Sequence, residues 1–101
     1  MTRNNFADIT LQEARHLVNK PDAILVDVRE NWEFEEFNEG GINIPLADIR
    51  ARRTDLAPYN IIVVICTNGV RSKVAAMDYC RVPEWLDKQI FHVHGGIIES
   101  E

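Results

Sequence analysis

Apolar residues recur at helical spacing at Leu11, Ala14, Leu17 and Val18, directly after the run Thr10-Leu11-Gln12-Glu13. That run reads as a capping box: the Thr10 hydroxyl accepts from the Glu13 amide while the Glu13 carboxylate accepts from the Thr10 amide. The helix is predicted to stop near Asn19-Lys20-Pro21. Ala23 to Val28 is short, branched and bounded by Pro21 and Arg29-Glu30, and reads as a buried strand. A short polar helix is predicted from about Asn31 to Asn38, broken by Gly40-Gly41. Ile42-Asn43-Ile44-Pro45 is extended and ended by proline, and Leu46 to Arg53 is predicted helical. Ile61 to Ile65 is apolar without interruption, the pattern of a central strand covered on both faces. A helix from about Arg71 to Val82, a short helix at Glu84 to Lys88 and a last strand at Ile90 to Val93 follow, with His94-Gly95-Gly96 turning out of it.

Strands separated by helices at this spacing predict an α/β fold with a mostly parallel sheet and right-handed crossovers. No repeat or Pro/Gly/Ser-rich linker divides the chain, so residues 1–101 are expected to form a single domain.

Composition narrows the partners. Eleven basic against 16 acidic side chains leave a net charge of −5. Arg50, Arg52 and Arg53 form the one basic cluster, too small for a nucleic-acid or anionic-membrane surface. The N-terminal stretch lacks the apolar run of a secretory signal, and Ile61 to Cys66 is far short of a membrane span. Cys66 and Cys80 make neither a disulfide framework nor a paired zinc motif. A reducing compartment, the cytoplasm, is the expected location.

The chemistry concentrates in Cys66-Thr67-Asn68-Gly69-Val70-Arg71-Ser72, between the central strand and the next helix. Ligands of open α/β sheets bind beyond the carboxyl ends of the strands, where this loop lies. A loop of this length can curl its amides inward into an anion nest, with the helix N-terminus adding partial positive charge and Gly69 allowing the curl. A sulfur at the mouth of that nest is stabilised as thiolate, which makes Cys66 a nucleophile. The competing reading is a small buried hydrophobe at a strand end. Gly69, Arg71 and Ser72 at their spacings favour the nucleophile.

With Leu25-Val26-Asp27-Val28-Arg29 followed by Glu33 and Phe34, with Gly41-Ile42-Asn43-Ile44-Pro45-Leu46, with Ile62 to Ser72, and with Val93-His94-Gly95-Gly96-Ile97, the sequence resembles the rhodanese-like sulfurtransferase domains from Ile9 to Ile97. The resemblance implies a three-layer fold, with a sheet of about five strands and helices on both faces. It implies that Cys66 takes sulfane sulfur from a donor as a persulfide and passes it to a thiophilic acceptor. Thr67, Asn68, Gly69, Val70 and Arg71 would supply the cradle. Phosphatase and arsenate reductase relatives carry one more residue between cysteine and arginine, so the four-residue spacing here favours sulfur transfer. Arg71 would either face the donor's anionic group or pin the loop. Ser72 is a hydrogen-bond donor to the sulfur or an ordinary first-turn residue. Asp27 and Arg29 are expected to be structural supports. No cofactor is implied.

The chain departs from the family pattern in two places. Phe37-Asn38-Glu39-Gly40-Gly41 stands where the family has Gly-His-Ile-x-Gly-Ala, and only Ile98-Glu99-Ser100-Glu101 follow Gly95-Gly96-Ile97, so a minimal version of the fold is expected. Arg71 is the loop's one formal positive charge in an acidic protein. A low-molecular-weight or protein persulfide is therefore the expected donor, ahead of dianionic thiosulfate.

Cys80 lies nine residues past Arg71 on the same predicted helix, on the order of 13 Å along its axis. Disulfide geometry needs about 7 Å or less between Cα atoms, so Cys80 is expected to be a core or groove residue and not a resolving partner. His92 and His94 alternate along a strand but lack a third ligand, so no metal site is expected. Glu30, Glu33, Glu35, Glu36 and Glu39 read as a solvated helix face, or as a docking surface for a basic protein beside Trp32. Two alternatives to sulfur transfer stand: a non-catalytic binding module on the same fold, and a cysteine redox sensor.

Overall fold

A computed structural model describes residues 4–98; the short tail after Ile98 lies outside them. Five strands form one sheet in the order β1-β5-β4-β2-β3, and every neighbouring pair is parallel. They are β1 (Phe6–Ile9), β2 (Ala23–Asp27), β3 (Ile42–Asn43), β4 (Ile61–Ile65) and β5 (Gln89–Val93). The helices are α1 (Leu11–Leu17), α2 (Asn31–Glu36) and α3 (Val70–Tyr79).

The centre of the sheet follows from the period of two along β4. Ile61, Val63 and Ile65 face a core completed by Leu11 and Ala14 of α1, Leu25 and Val93. Ile62, Val64 and Cys66 face the opposite core, with Val26, Val28, Ala75, Ala76, Tyr79 and Trp85. All five β4 residues are buried, as the uninterrupted apolar run requires. The predicted capping box starts α1, with the Glu13 amide donating to Thr10 Oγ1 at 3.1 Å and the Thr10 amide to Glu13 Oε1 at 2.8 Å.

Three expectations change. Strand β1 was not predicted: its four residues alternate only weakly and it lies at the sheet edge, where pairing with β5 supplies what the pattern lacks. The predicted helix from Leu46 to Arg53 is instead a 3₁₀ turn at Leu46–Asp48 and a second at Arg53–Leu56. Tight turns bury both Ile49 and Leu56 while Arg52 donates to the Asn43 carbonyl and Arg50 and Arg53 reach Asp78, so tertiary partners override helical propensity here. The predicted helix at Glu84 to Lys88 is reduced to one 3₁₀ turn, Pro83–Trp85, which buries Trp85 against Tyr79.

Candidate active site

Cys66 ends the β4 run on the face that meets α3, and the chain reaches the helix through Thr67, Asn68 and Gly69. Gly69 is the residue before the first turn of α3, with φ +92°, a left-handed conformation that side chains disfavour. A Cβ there would lie 2.1 Å from the His94 carbonyl oxygen. Gly96, at φ +68°, is under the same constraint, since its Cβ would meet the Thr67 carbonyl at 2.2 Å. The Ile97 amide donates to the Cys66 carbonyl at 2.9 Å and the Ile98 amide to the Thr67 carbonyl at 3.1 Å. The His94-Gly95-Gly96 turn is thus the backing on which the cysteine loop is pressed.

The loop directs donors at the sulfur. The amides of Gly69 and Ser72 donate to Cys66 Sγ at 3.1 and 3.2 Å. Ser72 Oγ lies 3.3 Å from Sγ, accepting from the thiol and, once the sulfur is a thiolate, able to turn and donate to it. Cys66 and Ser72 are both fully buried. Asn68 caps the loop from outside, its Oδ1 accepting from the Val70 amide, while the Val70 side chain is exposed beside the site. The groups that hydrogen-bond the sulfur are all neutral, so its direct contacts are dipoles, while the Arg71 guanidinium acts on it through space.

Arg71 is already engaged. Its two terminal nitrogens donate to the Glu33 carboxylate at 2.7 and 3.1 Å, and one also donates to Thr67 Oγ1 at 3.2 Å. The hydrogen bond from Arg71 lowers the Glu33 carboxyl to about 2, and the same bond raises the Arg71 guanidinium. Glu33 is also held from its own helix, because Oε1 accepts from the Glu30 amide at 2.9 Å in the capping box of α2. These contacts link the loop to α2.

Glu33 therefore does not belong to a solvated face, and neither does Glu39, which pairs with Arg15. Glu30, Glu35 and Glu36 are exposed. Trp32 stands 63% exposed. Asp27 and Arg29 are buried and pair with each other, with Arg29 Nη2 at 2.8 Å from Asp27 Oδ2; the same nitrogen donates to the Phe37 carbonyl at 2.6 Å. These contacts fasten the chain as it leaves α2. Cys80 is buried and unbridged, beside a groove lined by Phe6 and Met77.

His92 lies on the last strand as expected, but its part at the site is not among the sequence expectations. It and His94 do not act together: His92 is buried and His94 exposed. Nε2 of His92 donates to the Gly69 carbonyl at 2.9 Å, and Nδ1 lies 3.0 Å from Asp8 Oδ1. Strand β5 thereby holds the glycine that supplies one of the sulfur's donors. The alternation Ile90-x-His92 carried the signal, since it puts His92 on the Cys66 face of the sheet. Among the described residues no three His, Cys, Asp or Glu side chains converge as a metal site.

The comparisons with known proteins agree with this geometry. The chain is 31% identical over 94 residues to the tRNA uridine(34) hydroxylase of Yersinia enterocolitica, a match covering 86% of this chain and 26% of that protein. It is 31% identical over 75 residues to the putative sulfur carrier protein YrkF of Bacillus subtilis, covering 72% of this chain and 40% of that one. The chain thus spans well under half the length of either relative. The single-domain sulfurtransferase RDL2 of Saccharomyces cerevisiae superposes with a TM-score of 0.67 at 24% identity, over 98% of this chain and 91% of that one, which shows the shared fold. The rhodanese-like domain family matches residues 10–99, and with the cysteine loop, its backing turn and the parallel sheet in place, the chain belongs to that family.

Proposed function

We propose that the protein is a sulfurtransferase that carries sulfane sulfur on Cys66. The observation that supports this reading most is the convergence of the Gly69 and Ser72 amides and the Ser72 hydroxyl on one fully buried sulfur. Such a cradle stabilises negative charge on Sγ. In the first half-reaction Cys66 Sγ, as thiolate, attacks the outer sulfur of a donor R–S–SH. The Sγ–S bond forms, the donor's S–S bond breaks, and the thiolate RS⁻ leaves with the electron pair. In the second, an acceptor thiolate attacks the outer sulfur of the Cys66 persulfide and the Cys66 thiolate is restored, a ping-pong sequence without net oxidation.

A backbone donor for the outer sulfur is expected from the same helix start. The first turn of α3 leaves amides without intrahelical acceptors. Ser72 uses its amide on Sγ, and the Arg71 amide, in the same first turn, is a further donor for the second sulfur. Thr67, Asn68 and Val70 shape the wall, and Asp27 with Arg29 supports the α2 side. A low-molecular-weight or protein persulfide is the donor class that suits an acidic protein whose loop cation is already paired. The relatives named as a tRNA hydroxylase and a sulfur carrier fit a domain that handles sulfur or serves a longer protein.

Intact mass after incubation with a persulfide donor tests the reading. The expected result is a gain of one sulfur atom that is absent in Cys66→Ser. No gain with any sulfane donor would instead favour a non-catalytic binding module.

A further inference from the structure

Arg71 is the one formal charge of the loop that could greet an anionic donor, and it is spent before any donor arrives. Both terminal nitrogens lie on the Glu33 carboxylate, and the carboxyl is fixed from behind by the Glu30 amide. Arg71 and Glu33 are partly exposed, with 32% and 16% of their side-chain surface open, so the pair forms part of the wall a donor meets. Glu30, exposed at the start of α2, acts on the same guanidinium. Arg71, Glu33 and Glu30 together give that wall a net charge of −1, and a Cys66 thiolate adds another negative charge on the floor. A donor dianion approaching this mouth is repelled by charge that the loop's own arginine no longer offsets.

We propose that Glu33 is a specificity-determining residue: by neutralising Arg71 it sets the charge of the sulfur donor, excluding dianions such as thiosulfate in favour of donors with little or no net charge. The inference rests on the sulfurtransferase reading above. With thiosulfate, Sγ attacks the outer sulfur, the S–S bond breaks and sulfite leaves with the electron pair, so sulfite emerges in the arginine's neighbourhood. With a persulfide the leaving group is a thiolate of one charge. The same pair therefore penalises the approach and departure of oxyanions more than those of persulfides.

Glu33→Gln tests this, because the amide oxygen can still accept from the Glu30 amide while the charge is removed. The probes are thiosulfate and the persulfide of cysteamine, whose ammonium balances its perthiolate. The expected result is a rise of about fivefold or more in the ratio of kcat/KM for thiosulfate to kcat/KM for cysteamine persulfide, the size expected for one charge acting on a dianion across several ångströms of solvent-exposed wall. A second readout needs no variant. In the wild type, kcat/KM for thiosulfate should increase with ionic strength as repulsion is screened, and more steeply than for cysteamine persulfide. A purely structural Glu33 would slow both donors together and leave the salt dependence unchanged. An unchanged or falling ratio in a folded Glu33→Gln, or a wild-type thiosulfate rate that falls with salt, would overturn the proposal while sulfur on Cys66 by mass still upheld the transferase. Absence of sulfur on Cys66 from both donors would overturn the two readings together.

Discussion

Gly69 carries two constraints at one backbone position. Its φ of +92° is a left-handed conformation, and its α-carbon faces the His94 carbonyl so closely that a methyl group would lie 2.1 Å from that oxygen. Its amide donates to the Cys66 sulfur and its carbonyl accepts from His92. Gly69→Ala is therefore expected to cost about 1–3 kcal/mol of stability and to slow persulfide formation more than it lowers stability alone would explain, since the amide must shift away from Sγ. Urea unfolding and single-turnover sulfur loading measure the two effects; a variant with wild-type loading would contradict the placement. The neutral donors around Sγ and the paired Arg71 share a logic. The sulfur's hydrogen bonds come from oriented dipoles, while the formal cation hydrogen-bonds Glu33 and acts on the sulfur only through space.

The helices divide according to what fixes them. The start of α1 was legible because a capping box is a local contract between Thr10 and Glu13, and both hydrogen bonds are present. Thr10→Ala should lower stability by about 1 kcal/mol through the helix start, with sulfur loading of Cys66 unchanged, as read by urea midpoint and by mass. A loss of loading in the folded variant would mean that α1 reaches the site. The Leu46 to Arg53 segment is the opposite case. Its residues tolerate a helix, but Asp78 on α3 attracts Arg50 and Arg53 and the core draws in Ile49 and Leu56, and that geometry is met only by two tight turns. Strand β1 was invisible for a related reason: an edge strand of four residues gains its order from β5 and from the Asp8–His92 contact, not from its own pattern.

At the scale of the whole molecule, two carboxylates paired with arginines distant in sequence, Glu33 and Asp78, bear on acid stability. The hydrogen bond from Arg71 holds the Glu33 carboxyl at about 2, against an ordinary value of 4.5. Burial pushes Asp78 up, but the hydrogen bonds from Arg50 and Arg53 outweigh it and leave that carboxyl below its ordinary value. Both groups are depressed on folding, so in acid the unfolded chain binds more protons than the folded one. Their stabilisation is complete above the ordinary carboxylate range and is lost as pH falls, for Glu33 from about 4.5 toward about 2. Urea midpoints measured from pH 6 downward should decline across that window, and less steeply in Glu33→Gln. A flat profile in the wild type would contradict the pairing.

The sequence by itself determined the alternation of strands and helices, the two-faced burial of Ile61 to Ile65, the capping box at Thr10, and the loop from Cys66 to Ser72 at a strand end. Each of these is written in near neighbours: a period of two or 3.6, a cap three residues long, a four-residue gap between cysteine and arginine. Only the tertiary structure decided which group Arg71 pairs with, because its partner Glu33 lies 38 residues away on another helix. It also decided the part played by His92, whose two contacts reach Gly69, 23 residues away, and Asp8, 84 residues away. Charges and ring nitrogens act through whatever stands within about 3 Å, and in a parallel sheet, where each crossover returns the chain from a distance, those neighbours are set by packing and not by sequence order.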